Sequence, residues 1–147
     1  MRTKIIFILS LFFIVTQSSV AVSQSINVTI KNLKNNTKGT VRIAVFGDEK
    51  GFKSEKYFFS MICDKKNMKD GQIQVSIPVI AGVYGLSVLD DENDNGKMDY
   101  NLLGIPKEGF GFSNFYLKRL RKPKFADFSF TVEDKEVKDV TVKMKYL

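Results

Sequence analysis

Along most of the chain after its N-terminal stretch, apolar and polar residues alternate with a period of two. In a pleated strand that spacing puts the apolar side chains on one face and the polar ones on the other, so it predicts half-buried strands. Ile26, Val28 and Ile30 share a face, with Asn27, Thr29 and Lys31 opposite. Val41, Ile43 and Val45 alternate with Arg42 and Ala44, and Ile73, Val75 and Ile77 with Gln72, Gln74 and Ser76. Tyr84, Leu86 and Val88 mark a strand over 82–89, and 57–63 reads as a less regular apolar strand. Phe128, Phe130 and Val132 mark another, and the last is Val140, Val142, Met144 and Tyr146. Asn35 to Gly39 and Asp70-Gly71 supply turns, and Pro78 ends its strand by withholding a ladder donor. No window carries a helical period. Seven strands with one polar face each predict an all-β fold, an antiparallel β-sandwich of immunoglobulin-like or transthyretin-like topology, with a closed barrel as the alternative.

Positions 90–124 break the rhythm. Connections longer than about 15 residues without structure of their own are uncommon in compact domains and are usually functional or disordered. The aromatics Phe110, Phe112, Phe115 and Tyr116 argue against disorder, so this long loop is expected to be folded around something. Asp91-Glu92-Asn93-Asp94-Asn95-Gly96-Lys97-Met98-Asp99 has the pattern D-x-N-x-N-G-x-x-D. Side-chain oxygens at alternate positions wrap a cation, glycine permits the sharp turn, and the next residue offers its carbonyl. The expected ligands are Asp91, Asn93, Asn95, Asp99 and the Lys97 carbonyl. Glu108 and Asp90 are candidates for the last ligand, with Asn101 a weaker one. An all-oxygen set without histidine or cysteine favours calcium. Without a cation, Asp90, Asp91, Glu92, Asp94 and Asp99 are expected to repel one another. Leu102 stands where an EF-hand needs a bidentate glutamate, and the flanks are not helical, so an EF-hand is not expected. A tight turn built from the same Asp, Asn and Gly residues is the plainer reading.

In the second half of the loop, glycines 109 and 111 flank Phe110. The phenylalanines could form a ledge for a sugar or peptide. The reading preferred on the sequence is that they tuck inward and cap the end of the sandwich. The stretch is no phosphate loop, because no Lys-Ser/Thr follows the glycines.

Arg2 and Lys4, the apolar run from Ile5 to Val15, and Ala21-Val22-Ser23 have the make-up of a cleaved secretory signal. The run is shorter than the roughly 20 residues a membrane span requires. Residues 1–23 are therefore read as a signal peptide and 24–147 as one domain, periplasmic or secreted. Cys63 is the only cysteine and reads as a buried, inert thiol. The net charge is +7, of which Arg2 and Lys4 leave with the signal, so +5 remains. Basic residues gather in 116–124; a solvated loop is preferred there over contact with anionic lipid or polysaccharide. Export and the lack of any nucleic-acid motif exclude nucleic acid as a partner. The chain has no histidine, which removes Ser-His-Asp and Cys-His chemistry. Paired acids such as Glu92 and Glu108 could still support a carboxylate-dependent hydrolase.

Asp-Glu-Asn-Asp-Asn-Gly-Lys-Met-Asp (91–99), followed by Gly-Ile-Pro-Lys-Glu-Gly-Phe-Gly-Phe-Ser-Asn (104–114), resembles the bacterial exported family called domain of unknown function 2141. The likeness extends to the strand near 39–46 and to Ala81-Gly82-Val83-Tyr84. It implies a small β-sandwich protein of the cell envelope and carries over no activity. Asp90 departs from the resemblance, since the family often has histidine there. The reading favoured is a non-enzymatic envelope module with a calcium-ordered loop, binding a saccharide or protein partner. A purely structural part whose loop caps the sandwich is the alternative, and a hydrolase using the loop's acids is the third.

Overall fold

Ile26, Val28 and Ile30 turn inward from β1 (Ser25–Lys31) and meet Val41, Ile43 and Val45 of β2 (Thr40–Phe46), none of them more than 1% exposed. This is the period-two pattern realised as the two inner faces of a sandwich. The computed structural model describes residues 24–118 and 121–147. Residues 1–23, read above as a signal peptide, and Arg119 and Leu120 of the basic stretch lie outside the described residues.

The smaller sheet sets β1 between β4 (Ile73–Pro78) and β8 (Val137–Lys143). The larger sheet has the order β3 (Phe59–Asp64), β2, β5 (Gly82–Asp91), β6 (Gly109–Phe112), with β7 (Ser129–Val132) paired to β5 as well. β5 is the spine of that sheet. It pairs with β2 along one side, and with β7 over Gly82–Gly85 and β6 over Ser87–Asp90 along the other.

The all-β sandwich agrees with the sequence, with three differences. Eight strands are described, because the long loop contains β6. The β1–β8 pair is parallel. β8 crosses from the other sheet through the turn after β7, so that turn sets its direction and no hairpin with β1 does. Bridges between Phe110 and Lys145 and between Ser113 and Val142 also join the two sheets along one side. The sandwich is thus closed between β8 and β6 and open between β3 and β4, part of the way to a barrel.

Two short helices were not legible as a period. α1 (Glu49–Lys53) begins at Asp48, whose side chain accepts the Gly51 N–H, and α2 (Phe125–Phe128) leads into β7. Glu49 Oε2 accepts the Phe125 N–H at 2.7 Å and ties the helices together. Phe46, Phe52, Phe125 and Phe128 form a second small core on the outer face of the larger sheet, the Phe52 and Phe128 rings meeting edge-on at 4.9 Å. Cys63 is buried in the main core, and burial pushes its thiol above its ordinary value, as an inert thiol requires.

Candidate functional site

Strand β5 continues two residues past Leu89, so Asp90 and Asp91 are strand residues with no exposed surface. Alternation sends their side chains to opposite faces. Asp90 points into the sandwich, where Lys65 Nζ donates to its Oδ1 at 2.8 Å and Tyr146 Oη to its Oδ2 at 2.6 Å. Lys65 Nζ also donates to Asn36 Oδ1 at 2.9 Å. Gly109 leaves room for this network, since a Cβ there would lie 2.3 Å from the Tyr146 ring. Asp90 is therefore a core residue and no ligand of the loop.

Asp91 faces the loop and organises it. Its Oδ1 accepts the Asn95 N–H at 3.1 Å, and its Oδ2 accepts the Gly96 N–H at 2.8 Å and Arg42 Nε–H at 2.5 Å. Burial by itself would raise the Asp91 carboxyl. The Gly96 N–H, the Arg42 guanidinium and the Asn95 N–H outweigh it and hold the carboxyl below the usual carboxylate range. The same contact, chiefly the Asp91 hydrogen bond, lifts Arg42 above its ordinary value. Asn93 Oδ1 then accepts the Asn95 N–H, and Asn95 Oδ1 the Lys97 N–H, with Gly96 at φ +82° making the reversal between them. The side-chain amides of Asn93 and Asn95 both donate to Asp99 Oδ2, at 2.6 and 2.8 Å.

Asp91, Asn93, Asn95 and Asp99 are thus brought to one loop, Asp99 meeting the amides of Asn93 and Asn95 directly. Turning those two amides over would present oxygens toward Asp99 but would give up the Asn95 and Lys97 N–H bonds, and both Asp91 oxygens already accept from N–H donors. Among the described residues, no group of three His, Cys, Asp or Glu side chains is placed to hold a metal, so a cation here would depend on the asparagines and the Lys97 carbonyl. Glu108 does something else. Its Oε1 accepts the Glu92 N–H at 3.0 Å and its Oε2 the Asp99 N–H at 3.2 Å, so it braces both ends of the loop. Asn101 accepts the Leu103 and Ile105 N–H groups and shapes a turn.

The crowding expected among the acids is relieved by distant cations. Asp90 pairs with Lys65, Asp91 and Asp94 with Arg42, and Glu92 with Lys34 at 2.6 Å. The sequence could not show this, because Lys34, Arg42 and Lys65 reach the loop only through the fold.

Past Asp99 the chain forms a small hairpin. Asn101 N–H donates to the Ile105 carbonyl and Lys107 N–H to the Asp99 carbonyl, both at 2.9 Å. Its tip carries Leu102 and Leu103, 106% and 83% exposed. The hairpin's Tyr100 and Pro106 wall a groove of about 750 Å³ on the outer face of the larger sheet. Arg42, Ser87, Phe110 and Phe112 contribute to its floor, Phe52 and Lys122 to its far end. Phe110 and Phe112 do not tuck into the sandwich as expected. β6 presents them to this outer face, and its glycines face β8 instead. A smaller depression of about 430 Å³ on the other sheet is lined by strand residues alone.

The fold and this loop define a β-sandwich with an acidic, internally braced loop that walls an open groove. The chain belongs to the family described as uncharacterized protein conserved in bacteria (DUF2141), whose model matches residues 28–140. No curated protein and no solved structure matches the chain. Among the described residues, no helix is long and apolar enough to cross a membrane.

Proposed function

We propose that this protein is an exported, non-enzymatic module of the cell envelope that holds a ligand in the groove beside its loop, the loop being ordered by one calcium ion. The observation that carries the reading is the groove itself, walled by Tyr100 and Pro106 of the loop and floored by Arg42, Phe110 and Phe112 of the sheet. Sites of this kind are concave and largely apolar, with a few placed polar groups. Calcium would be held by Asp91, Asn93, Asn95, Asp99 and the Lys97 carbonyl, with Glu108 as the brace, and would fix the loop as a wall.

Against a hydrolase, Glu108 spends both carboxylate oxygens on loop N–H groups and Glu92 is paired with Lys34. Neither acid lines the groove. The half-buried Phe110 and Phe112 favour recognition over a loop that only closes the sandwich.

The test is calorimetric titration of chelator-stripped protein with calcium. An affinity on the order of 0.1 mM is expected, as for extracellular modules. At a hundredfold excess over that value calcium should add about 2.7 kcal/mol of stability. No heat and no rise in melting temperature would remove calcium from the proposal. A screen of envelope saccharides and peptides, followed by line broadening at Phe110 and Phe112, tests the groove separately.

A further inference from the structure

The hairpin over 99–107 holds its apolar tip in solvent. Leu102 and Leu103 are its most exposed apolar residues, and Tyr100 beside them is 58% exposed. The exposed tip has hydrogen-bonded structure of its own. The tip is tied by the Gly104 N–H to the Asn101 carbonyl, by two N–H groups on Asn101 Oδ1, and by the pairing of Tyr100 with Pro106. Glu108 anchors the base from below through the Asp99 N–H.

Two adjacent leucines kept in water by a built turn forgo the burial that each would otherwise gain. Tyrosine comes next along the hairpin, and Lys97 and Lys107, both exposed, stand at its base. Arg121 and Lys122 stand across the groove that the hairpin walls, Lys122 lying 3.9 Å from Glu55 and over the Phe52 ring, and the exposed Asp94 shares the loop with Lys97. Leucine at the tip, tyrosine behind it and lysine at the base is the order of a bilayer surface, from acyl chains through headgroups to phosphates. A protein pocket would account for the leucines but not for the exposed Lys97 and Lys107 behind them.

We propose that the Leu102–Leu103 hairpin is a membrane-docking finger that inserts its tip into an anionic lipid surface while Lys97 and Lys107 meet the headgroups. The chain thereby lies on the membrane without spanning it. This does not depend on calcium, and the test is run both in calcium and in chelator so that the two proposals fail separately.

The protein contains no tryptophan, so a single reporter is unambiguous. Leu103→Trp should shift its emission to the blue on addition of phosphatidylcholine vesicles containing phosphatidylglycerol, and brominated lipid should quench it. Ile80→Trp, at an exposed and distant position, should do neither. In co-sedimentation, Leu102→Ser with Leu103→Ser should lose roughly tenfold or more in partitioning. Lys97→Gln and Lys107→Gln should each lose about fivefold, and only with the anionic lipid. The proposal is overturned if the tryptophan reporter does not respond to vesicles, or if the double serine variant binds them like the parent.

Discussion

Lys65 and Asp90 form an ion pair in which neither side chain has any exposed surface, the ammonium 2.8 Å from the carboxylate. Asn36 and Tyr146 supply the remaining hydrogen bonds, so every member of the network is satisfied. Removing one partner leaves the other charged and buried. The prediction is that Asp90→Ala destabilises the fold by about 3–5 kcal/mol, whereas replacing both residues with well-packed apolar ones is close to neutral. Urea denaturation of the single and double variants measures it. A single variant as stable as the parent would show the pair to be dispensable.

Stability should fall at both ends of the pH scale for different reasons. Asp91 is held below its ordinary range, so its contribution is complete above the unfolded value of about 3.9 and is lost as pH falls toward the folded one. Tyr146 is pushed up, first by burial and then by its hydrogen bond to Asp90. Its contribution is complete below the unfolded value of about 10 and is lost as pH rises beyond it. Melting curves across pH should therefore show a shallower acid limb for Asp91→Asn and a shallower alkaline limb for Tyr146→Phe, each from a lower starting stability.

Glu108→Gln keeps the shape of the brace but sets an NH2 group, not an acceptor oxygen, against one of the two loop N–H groups. A loss of about 1–3 kcal/mol is predicted. Hydrogen exchange should quicken over 92–107 and stay slow at Val41, Ile43, Phe130 and Val142. Uniform quickening would mean that the loop and the sandwich unfold as one unit.

Gly109→Ala places a methyl group against the Tyr146 ring, where the ideal Cβ position is only 2.3 Å away. The ring must move, and its bond to Asp90 must stretch or break. A cost of about 1–3 kcal/mol is predicted from overpacking, with the lost hydrogen bond in addition. If Gly109→Ala costs much less in a Tyr146→Phe background than in the parent, the strain acts through that hydrogen bond.

How much of this was legible follows from which contacts are local. Ile26, Val41, Leu86 and Val142 announced their strands because each strand carries its own alternation. The acidic loop also declared its internal turns, since Asp91 reaches Asn95 and Gly96 within five residues. β6 was missed because its pattern is inverted. In Gly109-Phe110-Gly111-Phe112 the glycines face Tyr146 and Val142, and the phenylalanines face outward. Read with glycine as the core-facing member, that stretch alternates as regularly as any other. The cations Arg42, Lys34 and Lys65 were beyond local reading, because each meets its acid across the fold. The exposure of Leu102 and Leu103 was hidden as well, since an apolar pair beside a turn looks the same whether it packs or projects.

The parallel pairing of β1 with β8 has a consequence for how the chain comes to be folded. The two strands lie 112 residues apart in sequence, and β1 occupies the middle of its sheet. Until β8 arrives, one whole side of β1 is an open ladder edge. The most distant contacts are thus needed to complete the smaller sheet, which favours slow closure. In a chain made from its N-terminus, the smaller sheet would keep its central strand bare on one side until β8 had emerged.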